Sequence, residues 1–436
     1  MNRIAVLRQT LKGNLSVLRD YASLVSGSLG RLVLSLGYFV CIANGLSIGD
    51  FGLFATASAT GVMLSRVCGL GFYSPLYRAA IVKPHLIGTY TAGYIVASVL
   101  SLPLVVLAGA IFYLTVFAGE MGITAFAFVL AAEIIGWRSL EIVIIVNNGI
   151  GRFGRGALLT IFGSAVKALA AVGFWFLADG ELLTWAAYYL AANMLSAVIA
   201  LAATYPRQRL RFRPKLYLAR WRDSISVSGA DMVFYLQSDL DKLLVLAFGG
   251  PAAAGIYAII MRLVDLTALP MRSFNTLIVQ KIMKAPAFLD SWKRRIGIEA
   301  AIAFVSIGGL VALGGFLWLF PTALGQNVAD AAPLILLVLM VPAFRNLVEY
   351  EAELLYARGK TTIRVAILAT AALLKAGLLA ALLVTFETQA TWIAMLNGVF
   401  AILWLTSAFA SYTALDWRGW PKMRRGETGR EAPVVS

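Results

Sequence analysis

Twelve apolar stretches follow one another along the chain, each close to the roughly 20 residues that an α-helix needs to cross a bilayer. Their limits are Tyr21–Leu46, Asp50–Phe72, Ile87–Leu114, Met121–Val146, Gly154–Ala178, Leu182–Tyr205, Ser224–Phe248, Ala252–Val279, Gly297–Phe320, Asp330–Tyr356, Thr362–Phe386 and Thr391–Leu415. Backbone polar groups inside hydrocarbon must be satisfied within the segment itself, so stretches of this kind read as helices. The expected fold class is therefore an all-α membrane protein with about twelve transmembrane helices. Composition agrees: 60% of residues are hydrophobic and 14% charged, whereas soluble domains carry about a quarter charged residues. The fourth and tenth stretches hold several charges each and depart furthest from a simple span.

Before the first stretch, residues 1–20 place Ile4, Leu7, Leu11, Leu15 and Leu18 at helical spacing with Arg3, Arg8, Lys12 and Arg19 between them. The pattern suits an amphipathic helix lying on a membrane surface and not a cleavable signal. Loop charge then orients the chain. Lys and Arg collect at the N-terminus, at Arg78 and Lys83, at Arg152 and Arg155, and in the run Arg207, Arg209, Arg211, Arg213, Lys215, Arg220 and Arg222. They recur at Lys281–Arg295, at Arg358–Arg364 and in the tail, while the alternate loops carry only acids such as Asp50, Glu120, Asp179, Glu181 and Glu387. By the positive-inside rule both termini are cytoplasmic and the number of spans is even. The formal charge of +15 is thereby assigned to anionic lipid of the inner leaflet, not to nucleic acid.

Short motifs recur between the halves. Gly52-Leu53-Phe54-Ala55 matches Gly255-Ile256-Tyr257-Ala258, and at a slightly longer offset Glu141, Gly151-Arg152 and Lys167 match Glu349, Gly359-Lys360 and Lys375. The expectation is a parallel repeat of two six-helix bundles, since an even number of spans gives both halves one orientation. The units are residues 21–205 and 224–415, joined by a basic connection at 206–223 and followed by a basic tail at 416–436. Two such bundles can rock about their shared axis and expose a central cavity to alternate sides.

Soluble chemistries find no footing. Gly149-Ile150-Gly151-Arg152-Phe153-Gly154 fits GxGxxG, but it joins two apolar stretches and follows no strand, so it reads as a turn. Cys41 and Cys68 fall in apolar stretches, and the lone His85 lies in a loop, so neither a disulfide framework nor a histidine metal site is expected. Neither a cofactor nor an enzymatic activity is expected.

The intramembrane ions carry the remaining information, because a bilayer retains such residues only where they face a protein interior or an aqueous path. Arg31 and Arg66 lie at comparable depth on either side of the turn near Ser47, where two unpaired cations would suit an anion. Snorkelling toward the headgroups is the other reading. In the hairpin Asp231–Leu263, Asp239 and Arg262 are nearly equidistant from Gly249-Gly250-Pro251 and can join the two helices as an ion pair. Lys242 shares a helical face with Asp231 and Tyr235, and Arg272 continues the basic series. Arg345 and Glu349 are spaced as an i,i+4 pair. Glu141 and Glu349 fit either ion coupling or structural pairing. Lys167 and Lys375 sit too deep to snorkel and face either a cavity or an acidic neighbour.

Three segments carry a family likeness: SDLDKLLVLAFGGPAAAGIYAIIMRL, SIGDFGLFATASA and NNGIGRFGRGALLTIFGSAVKAL. They resemble the polysaccharide transporter family, the Wzx-type oligosaccharide flippases of the MOP superfamily. The resemblance implies two six-helix bundles that move an undecaprenyl-diphosphate-linked sugar unit from the cytoplasmic to the outer leaflet of a bacterial inner membrane. It implies a lipid-linked oligosaccharide substrate, with polysaccharide polymerase and glycosyltransferases as candidate partners. On that reading Arg31, Arg66 and Arg272 contact the diphosphate, and Lys242, Asp239 and Arg262 line the path nearer the outside. Two other classes stay open: a MATE-type cation or drug antiporter, and a membrane polysaccharide polymerase or acyltransferase.

Overall fold

The computed structural model describes residues 33–284, 292–386 and 388–416, and all regular structure among them is helical. In order these are α1 (Val33–Gly45), α2 (Ile48–Val67), α3 (Tyr73–Val82), α4 (Ile87–Phe112), α5 (Ile123–Ala131), α6 (Arg138–Gly149), α7 (Phe153–Leu177) and α8 (Leu182–Thr204). They are followed by α9 (Pro214–Lys284), α10 (Trp292–Leu319), α11 (Gln326–Ile335), α12 (Val341–Ala357), α13 (Thr361–Thr385) and α14 (Gln389–Asp416). A π-helical turn, Ala132–Trp137, joins α5 to α6 without a break. The amphipathic segment 1–20, Arg31 and the tail from 417 lie outside the described residues, as does the side chain of Arg272.

Seven helices among the described residues are long and apolar enough to cross a membrane, or eight if the pair Gln326–Val338 and Val341–Ala357, bent by 66°, is one span. The sequence leads one to expect twelve, and the difference has physical causes. Pro214–Ala268 counts once although its 55 residues would reach about 80 Å at 1.5 Å per residue, well over twice the hydrocarbon thickness. Gly250, at φ 76° and ψ 178°, breaks this rod into two expected spans. The helical run from α5 through α6 carries Glu133, Arg138 and Glu141, and α1 is described only from Val33. Residues 214–223, expected to belong to a connection, are instead the first turns of α9.

Turn contacts sort the loops onto two faces. On one, the Gly149 turn packs on Tyr77 and Ala80, Gly88 meets the carbonyl of Arg209, and Gly71 meets that of Ser224. This face carries the basic loops. On the other, a Cβ at Gly180 would sit 3.1 Å from the carbonyl of Gly45, and Gly325 abuts the side chain of Asn44. Here Ser47 caps α2, with the Asp50 amide donating to Ser47 Oγ at 3.1 Å and that hydroxyl donating to the Asp50 carboxylate at 2.6 Å.

The matched motifs acquire a structural meaning. Gly151 and Gly359 take positive φ (78° and 72°), and the amides that follow donate back to Asn147 and Leu355 at 2.8 and 2.9 Å. Both therefore close a helix with the same left-handed cap. Gly52 and Gly255 meet each other: a Cβ on Gly52 would lie 2.4 Å from the Gly255 nitrogen, and one on Gly255 would lie 1.9 Å from the carbonyl oxygen of Ile48. Equivalent residues in mutual contact are what an isologous pairing produces at its twofold axis.

Candidate functional site

Two polar cavities lie between the segments before and after residue 214. The first, of about 310 Å³, is walled by α1, α2, the π-turn, α7, α8 and both limbs of α9. Its ions are Lys167, Lys242 and Arg262 against Glu133 and Asp265. Glu133 projects from the π-turn, a feature that recurs at functional sites. One of its oxygens accepts from Ser58 Oγ at 2.6 Å and from the Tyr189 hydroxyl at 2.5 Å. Gly61 makes room for it, since a Cβ there would come within 2.9 Å of Glu133 Cβ. Lys167 Nζ stands 3.9 Å from the centre of the Trp137 ring, a cation–π contact. Arg262 donates to the hydroxyl of Ser35 on α1.

The second cavity, of about 360 Å³, lies toward the basic face. Arg66, Arg138 and Arg364 line it, together with Glu141, Asp231, Tyr73 and Tyr235. Glu141 is the hub, accepting from Arg66 at 2.8 Å and from Arg138 at 2.7 Å. Tyr235 stacks on the Arg66 guanidinium at 4.3 Å, Tyr73 lies 4.8 Å from that of Arg138, and the Tyr73 hydroxyl donates to Asp231 at 2.7 Å. Arg66 Nε and two N–H positions of Arg138, Nε and Nη2, are buried with no acceptor from the protein. Arg364 pairs with Glu353 at 2.8 Å.

Behind the first cavity the ions neutralise one another. Asp241 and Lys375 lie 2.9 Å apart, the Tyr257 hydroxyl donates to Asp241 at 2.7 Å, and Lys375 donates to the Gln237 carbonyl at 2.8 Å. Arg345 pairs with Asp265 at 3.0 Å.

The residues singled out in the sequence divide accordingly. Lys242, Arg262 and Lys167 line the central cavity; Arg66 and Glu141 line the basic-face cavity; Glu349 lines neither. Lys375 faces an acidic neighbour and not a cavity. Two expected arrangements are replaced. Asp239 binds Lys242 one turn along its own helix at 2.5 Å, while Arg262 turns to α1, so the Asp239–Arg262 bridge is not made. Arg345 reaches across to Asp265 at 3.0 Å. Arg66 is ion-paired, not unpaired. The shared face of Asp231, Tyr235 and Lys242 does run along the cavities, with the first two on the basic-face side and Lys242 in the centre. Glu133, Arg138 and Asp231 stand out in the sequence as charges inside apolar stretches. Tyr73, Tyr189 and Tyr257 give no such signal.

No family model matches the chain, and no curated protein does either. Solved structures do. An inward-facing multidrug resistance MATE family transporter of the MOP superfamily superposes with a TM-score of 0.60 at 16% identity, over 89% of this chain and 96% of that one. A MOP superfamily transporter from Pyrococcus furiosus, described as having a binding pocket of reversed polarity, gives 0.58 at 16% identity over 92% and 96%. The chain shares the fold of these two proteins. An outward-facing MATE family transporter gives 0.53 at 14% identity over 92% and 95%. At these identities the likeness concerns the fold and not the substrate.

Proposed function

We propose that the protein is a flippase that moves an undecaprenyl-diphosphate-linked oligosaccharide across a bacterial inner membrane by alternating access, for cell-surface or exopolysaccharide assembly. In this reading twelve spans form two six-helix bundles, the basic face is cytoplasmic, and polysaccharide polymerase and glycosyltransferases are partners in the pathway. The observation that carries it is the convergence of Arg66, Arg138 and Arg364 on the basic-face cavity, with the Arg66 and Arg138 guanidiniums held side by side on Glu141. A guanidinium fork matches phosphate oxygens well. Lys167, Lys242 and Arg262 at the central cavity and Arg66 and Arg138 at the basic-face cavity are the cations that an anionic headgroup would meet. The sugar headgroup would follow the α9 face from Tyr235 to Lys242 while its lipid tail stays in the membrane.

The test is leaflet-resolved analysis of lipid-linked glycans in a deletion strain complemented with Arg66→Ala plus Arg138→Ala. Accumulation on the cytoplasmic leaflet at normal protein level is expected, and full export would sink the proposal. A second reading, a cation-coupled antiporter, draws on Glu133, a buried carboxyl at the central cavity. Glu133→Gln separates the two, because both hydroxyls bond one oxygen that glutamine keeps. The flippase reading expects no cation-coupled drug extrusion for this substitution to remove.

A further inference from the structure

A third concavity, of about 570 Å³, opens on the basic face where α4 begins, α7 begins and α8 ends. We propose that it is a binding site for the phosphate-bearing headgroup of an anionic membrane lipid. Three arginines converge on it from two directions: Arg152 and Arg155 from the start of α7, and Arg207 from the chain segment leaving α8. No carboxylate lines it. Among the described residues none of the three makes a side-chain hydrogen bond or ion pair. They therefore differ from Arg66, Arg138, Arg345 and Arg364, each of which is held by an acid. Arg152 is also the N-cap of α7, a helix of 25 residues whose positive end adds to the field.

The wall is fixed before any ligand arrives. Gln208 clamps the chain after α8 to the start of α4, accepting from the Gly88 amide at 3.0 Å and donating to the Pro84 carbonyl at 2.8 Å. Only glycine fits at position 88, since a Cβ would lie 2.4 Å from the Arg209 carbonyl oxygen. The Tyr205 hydroxyl is bonded to Thr91 at 2.6 Å. A strap tied at both ends holds Arg207 opposite Arg152 with little ordering left to do on binding.

Its surroundings select a lipid. Phe153, Leu158 and Val198 flank the arginines on α7 and α8 and are 61–66% exposed, so acyl chains have a surface to lie on beside the headgroup. Basic pockets between membrane helices are recognised headgroup sites. The shared chemistry is a lipid phosphate, which either a resident phospholipid or the diphosphate of a polyprenyl-linked substrate provides. The site does not depend on the flippase reading.

The experiment is lipid retention by the full-length protein in nanodiscs containing phosphatidylglycerol or only phosphatidylcholine, read by native mass spectrometry. Arg152→Gln, Arg155→Gln and Arg207→Gln should each weaken phosphatidylglycerol binding about fivefold, the equivalent of ~1 kcal/mol per basic residue near a surface. The triple variant should retain no more phosphatidylglycerol than phosphatidylcholine. Lys215→Gln with Arg222→Gln, which changes basic residues of α9 outside the pocket, should leave retention unchanged. Equal retention of the two lipids by the parent protein, unchanged retention in the triple variant, or an equal loss in the α9 variant would overturn the assignment. Added undecaprenyl diphosphate separates the sources. Displacement of phosphatidylglycerol assigns the site to substrate, and persistence assigns it to resident lipid; either result requires the arginine dependence.

Discussion

Lys375 and Asp241 each have about 3% of the side chain exposed, and the Tyr257 hydroxyl and Gln237 carbonyl complete their hydrogen bonds. Removing one member of such a pair leaves an uncompensated buried charge and costs about 3–5 kcal/mol. Lys375→Ala should therefore lower the thermal midpoint of the solubilised protein markedly, whereas Lys375→Met with Asp241→Leu should recover most of the loss. A single variant that melts like the parent would show that the pair contributes nothing. Depth marks Lys375 in the sequence, because a lysine four turns into an apolar helix cannot reach the headgroups. Its partner lies 134 residues away, and no local pattern joins them. Arg262 shows the opposite failure. Equal spacing from the Gly249-Gly250-Pro251 turn suggests Asp239 as its partner, but Lys242, one turn from Asp239 on the same helix, takes that carboxylate first. Distance along a hairpin fixes depth; it does not fix azimuth.

Between elements, the contact of α2 with the second limb of α9 rests on two glycines. An added Cβ at Gly52 meets backbone nitrogen and backbone oxygen, both at 2.4 Å, and neither can swing aside as a side-chain tip would. Gly52→Ala and Gly255→Ala should each force the helix ends apart at the face opposite the basic loops, with overpacking costs of about 1–3 kcal/mol. The check is maleimide labelling of a cysteine at Ser47, in a background lacking Cys41 and Cys68, which should speed up in either variant. Gly398→Ala, with open space around it, should not change the rate. Unchanged labelling in the Gly52 variant would mean that the helices do not pack this closely. The motif match was legible because both copies keep glycine and alanine at the same places, with similar residues between them. That the two copies touch was not legible, since periodicity carries no information about where an axis passes. The π-turn that presents Glu133 was hidden for a similar reason: one extra residue in a helical turn leaves an apolar sequence looking unbroken.

At the scale of the molecule, the face opposite the basic loops is latched across the segments on either side of α9. Asn44 on α1 donates to the Leu324 carbonyl at 2.8 Å and accepts from the Asn327 amide at 3.1 Å. The Asn327 side chain donates to the carbonyls of Ala43 and Leu46 at 2.6 and 3.0 Å. Gly325 sits against Asn44 at φ 94°, where a side chain would both strain the backbone and collide with the amide. These bonds lie beyond the central cavity from the basic face, so a carrier working by alternating access must break them once in each cycle. At about 1 kcal/mol apiece they form a latch that substrate binding can open, unlike the Asp241–Lys375 pair. On the proposed transport function, Asn44→Cys with Asn327→Cys, joined through two disulfides by a short bis-methanethiosulfonate in the background without Cys41 and Cys68, should stop transport, and reductant, which cleaves those disulfides, should restore it. Asn44→Ala should instead favour the state open on this face and speed labelling there. Full transport with the cross-link in place would show that the face stays closed throughout the cycle, and rocking of the two bundles would then be the wrong description of how this molecule works.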